Sequence, residues 1–397
     1  MRISTPGLYQ NALTAMLDQQ SRLAKTQNQV ATGKRVQTPA DDPVAAVHIM
    51  QLQRAQAESD QYQKNSDSVT TRLNLEEQGL ADTTTLLQRV RELTVEAGNV
   101  GTMSDSDRQS LVAELQARSQ ELMDIANRKD ANGEYLFSGF ASLTQPFSRS
   151  GTVSYAGDQG VRQIQVSPSQ KIADSDTGDQ VFQNITQGNG TFTTSAGIGN
   201  TGTASIDVGT VVNAAAWVPD NYTITFVSAS DYQITDSASN VVASGTAAPG
   251  SAISFNGVQV TLTGTPAVGD SFAVSKSGKE DIFSTLDKLI ATLQRPASTA
   301  AGKAQMSTAI GGALQQLDQA DTHIENVRAG VGARLSLLDD ASSTRDATNV
   351  DLQSTLSNLQ DLDYASALTK LQQQLVGLQA AQQSYSKISQ LSLFSYL

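Results

Sequence analysis

The last 46 residues of the chain, 352–397, limit its possible folds more than any other stretch. From Tyr364 onward, apolar side chains recur at alternating intervals of four and three residues, the heptad pattern of a helix with one buried seam. Only four charged residues fall in this stretch, so a helix here is marginal alone in water and requires a partner. The predicted C-terminal seam consists of Leu356, Leu359, Tyr364, Leu368, Leu371, Leu375, Leu378 and Tyr385.

The start of the chain offers a second helix with the same spacing. Its predicted seam consists of Leu13, Met16, Gln20, Leu23, Gln27 and Val30. Glutamine at core positions weakens packing within one chain, so such helices gain most by contacting neighbouring subunits. We therefore expect self-association. The candidate partner-binding site is formed by Leu13, Met16, Leu23 and Val30 together with the C-terminal seam.

The composition excludes several classes of protein. Only 5% of residues are aromatic and 39% are hydrophobic, which favours long, thin helical layers over one large globular core. A net charge of −12 argues against nucleic-acid binding, since nothing could neutralise a row of phosphates. The chain has no cysteine, which excludes disulfides, thiol catalysis and cysteine zinc sites, and suits a protein exported unfolded.

Targeting signals are also missing from the sequence. Residues 1–6 lead into no apolar segment, so we predict no cleaved signal peptide. No run approaches the roughly 18 apolar residues of a membrane span, so no membrane insertion is expected.

Proline and glycine divide the chain into helical and β-rich regions. No proline occurs between Val44 and Gln145 or after Pro296, whereas residues 146–279 hold 16 of the 29 glycines. We predict a mainly α fold with a β-rich insertion. Both chain ends form an elongated antiparallel helical bundle or coiled coil, and a small β-sandwich or barrel is inserted mid-chain. The predicted domains are 1–42 with 355–397, 43–145 with 281–354, and 146–280.

Several element boundaries follow from capping and turn signals. A helix enters at Pro43 after two aspartates and ends near Gly98, and a second begins at Ser104 with Asp107 completing a capping box. Asn132-Gly133 predicts a turn, a short helix ends before Pro296, and a later helical series is interrupted at Gly330 and Gly332. The seams inside residues 69–125 and 306–327 are interpreted as ordinary core packing of a bundle.

Alternating apolar residues predict the strands of the insertion. The first two flank a turn at residues 157–160 and suggest a hairpin. The predicted strands are Thr152–Tyr155, Val161–Val166, Tyr222–Val227, Tyr232–Thr235, Ala252–Phe255, Val258–Thr263 and Phe272–Ser275.

Candidate catalytic and metal motifs are weak, and we predict no enzyme activity, cofactor or metal. His48 and His323 lie in separate helices outside any zinc spacing. Residues 174–179 resemble the start of a calcium loop, but Ile185 replaces its final glutamate, so we interpret them as a solvated turn. Residues 330–334 resemble a dinucleotide loop without the preceding strand.

The layout resembles the bacterial flagellin superfamily, and within it the hook-associated members that join hook to filament. The resemblance covers roughly residues 1–150 and 280–397. Its motifs are Met1-Arg2-Ile3-Ser4-Thr5, Gly33-Lys34-Arg35-Val36 leading into Pro39-Ala40-Asp41-Asp42-Pro43, Asn132-Gly133-Glu134-Tyr135-Leu136-Phe137-Ser138-Gly139, and the tail from Asp363-Tyr364-Ala365 through Leu368-Thr369-Lys370-Leu371 to Ser384-Tyr385.

This resemblance implies a structural subunit of the flagellum that joins hook to filament and provides the platform on which flagellin polymerises. Its implied partners are copies of itself, a neighbouring hook-associated protein, flagellin, and a cytoplasmic export chaperone that holds the C-terminal helix. It implies export without a cleaved signal to the extracellular flagellum, with residues 1–42 and 355–397 disordered until assembly.

Two alternatives stay open. The nearest is a filament flagellin subunit, which would polymerise into long filaments by itself. The more remote is an enzyme housed in the β-rich insertion, which would need a metal or a perturbed catalytic group.

Overall fold

The computed structural model describes residues 5–99, 101 and 103–390 of the chain. Its fold is mainly α with a β-rich insertion, as predicted. Two compact units are present, a terminal unit (Met1–Lys64 with Asp340–Leu397) and a central unit (Asn65–Asp339). The helices in the described part are α1 Thr5–Thr32, α2 Pro43–Ala97, α3 Asp105–Ala126, α4 Ile282–Gln294, α5 Ala300–Gln360 and α6 Tyr364–Gln390.

The terminal unit pairs α1 with α6 in antiparallel orientation. The rings of Tyr9 and Tyr385 meet edge to face with centroids 6.2 Å apart. At the other end of the pair, the Leu362 N–H donates to the Gly33 carbonyl at 2.9 Å. The beginning of α2 and the end of α5 meet in the same unit around a small apolar cluster, formed by Val36, Ala45, Ala46 and Ile49 with Leu356 and Leu359.

Helix ends in the chain follow the predicted capping chemistry. The Asp42 carboxylate accepts from the Ala45 N–H at 3.0 Å and caps α2. Ser104 and Asp107 form the predicted reciprocal capping box at the start of α3. Each bond satisfies a backbone donor that the first helical turn leaves without an intrahelical partner.

The central unit buries the predicted helical seams in one core. Its members include Leu73, Leu80, Leu87, Val90, Leu111, Leu115, Leu122, Ile125, Met306, Ile310, Leu317, Ala320 and Ile324. The interpretation of these seams as bundle packing is therefore confirmed. The expected interruption at Gly330 and Gly332 is wrong, because α5 continues through both glycines. Packing along the rest of a 61-residue helix outweighs the roughly 1 kcal/mol cost of each glycine.

The insertion is built from antiparallel strands. The strands of the described part are β1 Phe147–Ser150, β2 Thr152–Tyr155, β3 Gln163–Ser167, β4 Gln170–Ala173, β5 Ile185–Thr186, β6 Phe192–Ala196, β7 Ser205–Ile206, β8 Thr210–Val211, β9 Asn221–Phe226, β10 Asp231–Thr235, β11 Val241–Thr246, β12 Ala252–Phe255, β13 Val258–Thr263, β14 Ser271–Lys276 and β15 Lys279–Glu280.

Two larger sheets enclose one core. The five-stranded sheet has the order β11-β10-β9-β14-β6, and the four-stranded sheet has the order β12-β13-β7 with β8 beside β13. The shared core is Phe192, Ala204, Ile206, Tyr222, Ile224, Phe226, Ile234, Ala247, Ile253, Phe255, Val258, Val260, Leu262, Phe272 and Val274. This matches the predicted sandwich. The barrel alternative is wrong, since neither sheet closes on itself in the described residues.

The first two predicted strands do not form a hairpin with each other. β2 pairs with β1, and β3 pairs with β4. The turn between β2 and β3 is instead tied to the segment before β1, because the Asp158 carboxylate accepts from the Phe140 N–H at 2.8 Å. The Tyr155 hydroxyl also donates to the Phe137 carbonyl at 3.0 Å.

The Asn132–Gly139 motif lies at this tied turn and has a structural role. Leu136 and Phe137 are fully buried, and the Phe137 ring meets Phe182 edge to face at 5.1 Å. Gly139 has a φ of +69°, and an added Cβ would collide with Asp158. A glycine is required there by both backbone conformation and space.

The interpretation of residues 174–179 as a solvated turn is wrong. Asp174 is buried, and its carboxylate pairs with Arg162 Nη2 at 2.5 Å. Asp176 pairs with Arg334, and the Thr177 hydroxyl donates to Asp179 at 2.6 Å. These acidic side chains are therefore held by arginines and hydroxyl groups inside the protein.

Candidate functional site

The candidate site is the pair of terminal helices, whose facing positions form two interlocking heptad rows. Side chains that are buried or half-buried recur at alternating intervals of three and four residues on both helices. On α1 they are Tyr9, Ala12, Met16, Gln19, Leu23, Thr26 and Val30, and on α6 they are Ala367, Leu371, Gln374, Leu378, Ala381 and Tyr385.

The predicted seams share only every second position with these rows. Met16, Leu23 and Val30 lie in the intrachain seam of α1, and Leu371, Leu378 and Tyr385 lie in that of α6. The other predicted positions are displaced by one residue onto the flank. Ala12, Gln19 and Thr26 replace Leu13, Gln20 and Gln27 in the seam, and Ala367, Gln374 and Ala381 replace Leu368, Leu375 and Gln382.

Large apolar side chains are consequently left exposed beside the seam. Leu13 and Leu368 are each 47% exposed, and Leu375 is 39% exposed. In a heptad with positions a to g, the seam residues are a and d, and each of these leucines directly follows a d residue, at position e. The e positions of two antiparallel helices lie on the same side of their seam. We call this surface the leucine flank, defined by Leu13, Gln20 and Gln27 on α1 and Leu368, Leu375 and Gln382 on α6.

The leucine flank alternates leucine with glutamine along its length. Because the helices are antiparallel, Leu13 lies near the level of Gln382, Leu375 near Gln20, and Leu368 near Gln27. Each level therefore presents one apolar and one amide side chain, which suits packing against another helix of similar composition.

The remaining predicted site residues have intrachain contacts. Leu356 and Leu359 pack on the small cluster at the start of α2. Tyr364 is 51% exposed, and its hydroxyl lies 2.8 Å from the position that a Cβ on Gly33 would occupy.

Sequence periodicity missed further exposed apolar residues in the terminal unit. Leu17 and Val376 stand outside the heptad seams, and Val44, Val47 and Met50 line the exposed side of the first turns of α2. Only their exposure in the folded chain identifies them, since the sequence does not show which side of α2 is covered.

The turn between α1 and α2 is bonded to the turn between α5 and α6. The Arg35 N–H donates to the Gln360 carbonyl at 2.7 Å, and Arg35 Nη2 donates to the Leu359 carbonyl at 2.7 Å. Lys34 and Asp361 form an isolated β-bridge. The Gly33–Val36 motif thus connects the two ends of the chain.

Two aspartates stabilise the turn after α1. The Lys25 ammonium, 2.7 Å from Asp41, together with N–H donors of Thr38 and Gln37, holds the pKa of the Asp41 carboxyl well below its usual range. The Ala45 N–H, followed by Arg35, lowers the pKa of Asp42. Both side chains therefore act as charged caps of this turn.

The described residues contain no cluster of three or more metal-ligating side chains. None of the described helices is long and apolar enough to cross a membrane. His48 lies on the exposed side of α2, and His323 Nε2 lies 2.7 Å from the Gln180 carbonyl. Of the resemblance motifs, Met1–Ser4 lies outside the described residues.

Three family models match the chain. Residues 3–142 match the bacterial flagellin N-terminal helical region, and residues 314–397 match the bacterial flagellin C-terminal helical region. Residues 196–276, which include most of the sandwich, match a D2-like domain of flagellar hook-associated protein 1.

Known relatives match between about three quarters and nearly all of the chain. Flagellar hook-associated protein 3 of Escherichia coli is 28% identical over 99% of both chains. Flagellar hook-associated protein-3 of Legionella pneumophila is 37% identical in its crystal structure, with a TM-score of 0.76, covering 78% of this chain and 98% of that one. A crystal structure of the flagellar junction protein FlgL from Legionella pneumophila is 37% identical, with a TM-score of 0.72, and the match covers 79% of this chain and 100% of that one.

Proposed function

The chain belongs to the flagellar hook-associated protein 3 family, and on that premise we propose that it is the subunit that joins the flagellar hook to the filament. Copies of the chain would form a short zone on the hook, and their distal surface would be the platform on which flagellin polymerises. The relatives are structural proteins of the flagellum, and the role proposed here is likewise structural rather than enzymatic.

The leucine flank is the observation that best supports this role. Three exposed leucines recur along one side of this helix pair, and large apolar side chains aligned on one exposed surface suit contact with another protein. Its alternation with glutamine allows each level to pair one apolar contact with one amide hydrogen bond from a neighbouring helix. We infer that copies of the chain contact one another through this surface.

We propose that the flagellar partners contact the same surface. A neighbouring hook-associated protein on the hook side and flagellin on the filament side would present terminal helices of the same family pattern. Before export, a cytoplasmic chaperone would cover Leu368 and Leu375 by receiving α6 in an apolar groove. Chaperone and neighbouring subunit would then compete for the same leucines.

Export in an unfolded state fits the weak terminal seams. Glutamine, threonine and alanine fill six of the thirteen seam positions, so α1 and α6 gain little by packing on each other alone. We propose that residues 1–42 and 355–397 become ordered on assembly, with the ordering entropy offset by burial against neighbours. The protein would reach the extracellular flagellum without a cleaved signal.

Deletion of the gene, with assay of flagellin in filaments and in the medium, tests the function. Loss of filaments with flagellin shed into the medium is expected, because the platform would be missing. Filaments that persist would contradict the junction role. Purified chain that polymerises alone into long filaments would favour the alternative of a filament flagellin.

A truncated protein lacking residues 388–397 tests the role of the ends. It should fail to join the organelle while the central unit keeps its helical circular dichroism. Normal incorporation would contradict assembly through the terminal helices.

A further inference from the structure

A cleft inside the central unit is separate from the terminal helices. It has a volume of about 410 Å³ and lies between strand β6 and helices α4 and α5. Strand β6 ends the five-stranded sheet, where β14 is its partner in that sheet. An edge strand presents alternate N–H and C=O groups that lack a partner in the ladder.

Small residues on α5 keep the opposite wall of the cleft open. Ala309, Gly312 and Ala313 line it at intervals of three and four residues, on one side of the helix. A Cβ added to Gly312 would meet no atom within 4 Å. The space beside β6 is therefore open, because the residues on this side of α5 are too small to fill it.

A buried amide aims into this space. Gln316 lines the cleft and is 6% exposed, and its Oε1 accepts from the Gly188 N–H at 3.0 Å. Its Nε2 is buried and has no hydrogen-bond partner among the described residues. Leaving a buried donor unsatisfied costs about 1–3 kcal/mol, so this group calls for an acceptor from a ligand.

Positive charge at the mouth restricts the ligand further. Lys288 and Arg295 line the cleft. Lys288 pairs with the partly buried Glu280 at 2.5 Å, whereas Arg295 forms no ion pair with any described carboxylate. The surplus charge is positive and favours a carboxylate ligand.

We propose that this cleft binds an extended acidic peptide segment of another protein. The segment would add a strand to the outer edge of β6, place a backbone or carboxylate oxygen on Gln316 Nε2, and set an acidic side chain near Arg295. The Phe192 N–H and carbonyl are already bonded to Asn189, so the segment would pair along residues 193–196, which accommodate roughly 13 Å of extended chain. The proposal does not depend on the junction role.

Hydrogen exchange of the full chain tests the proposal with a defined probe, the capped peptide acetyl-Val-Asp-Val-Asp-Val-amide. Millimolar peptide should slow exchange of the β6 amides and leave those of β11, the other edge of the same sheet, unchanged. The same peptide with every backbone amide N-methylated should have no effect, since neither of its edges can donate to a strand.

Two variants locate the site. Gly312→Leu fills the cleft. Gln316→Glu removes the free N–H donor but keeps the oxygen that accepts from the Gly188 N–H. Each substitution should weaken peptide binding about tenfold or more. Gly311→Leu is the matched control, because it is also helical, its Cβ meets no atom, and it does not line the cleft. Absent protection of β6, equal protection of β11, or unchanged binding by Gly312→Leu would overturn the proposal.

Discussion

Gln19 and Gln374 meet across the terminal helices, with Gln19 Nε2 donating a 3.1 Å hydrogen bond to the Gln374 backbone carbonyl. The approach depends on Gly377, since a Cβ there would lie 2.9 Å from Gln19 Nε2. The level that a leucine pair would normally fill is thus occupied by an amide and a glycine. The large apolar side chain at the neighbouring position, Leu375, lies on the leucine flank instead of in the seam.

Leu375→Asp should prevent incorporation into the organelle while leaving the monomer folded. The side chain is on the leucine flank, so the free energy of unfolding should change by no more than about 0.5 kcal/mol, whereas a charge in a subunit contact would be buried without a partner. Complementation of a deletion strain and thermal unfolding measure the two effects. Gln373→Asp, on the opposite flank of α6, is the matched control and should assemble normally.

Arg72→Met should destabilise the central unit by about 3–5 kcal/mol, because it removes the buried charge that pairs with Asp130 and leaves Asp174 with Arg162 alone. Arg72 Nη1 pairs with Asp130 at 2.9 Å, and its Nε lies 3.6 Å from the buried Asp174. Denaturant unfolding measures the loss. Arg91→Met removes an exposed pair with Asp318 and should have a much smaller effect. Equal effects of the two substitutions would contradict the importance of the buried network.

Glu76→Gln should stabilise the protein at alkaline pH. Burial, and next the Asp176 carboxylate, raise the pKa of Glu76 well above its usual value of 4.5, against the opposing effect of Arg334. The folded state then holds this proton more tightly than the unfolded state, so stability falls as pH rises from 4.5 through the folded pKa.

Unfolding curves at several pH values check this sign. The advantage of Glu76→Gln should shrink as the pH is lowered toward 4.5. A pH-independent difference would rule out the titration of Glu76 as its cause.

Gly330→Ala should raise the free energy of unfolding by about 0.5–1 kcal/mol. The residue lies inside α5 and an added Cβ meets no atom within 4 Å, so helix propensity alone decides the result. Gly139→Ala should be destabilising by about 1–3 kcal/mol, because its φ is +69° and Asp158 occupies the space. Chemical denaturation of both variants compares them directly.

Local chemistry explains what the sequence predicted well. The capping box at Ser104, the entry of α2 at Pro43 and the strands 152–155, 252–255 and 258–263 depend on neighbouring residues, and the structure has them as predicted. Fold class followed from the same local signals.

Errors arose where distant residues decide the outcome. The partners of β2 and β3 are set by Asp158 and its bonds to the segment before β1, which no alternation pattern reveals. Likewise, four-and-three spacing cannot distinguish a seam containing Gln374 from one containing Leu375, because both lie one position apart on the same helix. The choice depends on α1, which supplies Gln19 at that level.

The bonds between the two turns of the terminal unit also bear on folding kinetics. Arg35 and the Leu359 carbonyl, which it contacts at 2.7 Å, are 324 positions apart in the chain. Contacts of such separation close a very long loop, whose entropy cost must be met before any stabilisation is gained. The central unit, Asn65–Asp339, makes up most of this separation, so its folding first would shorten the loop that remains, and docking of the first helix onto the last should follow it.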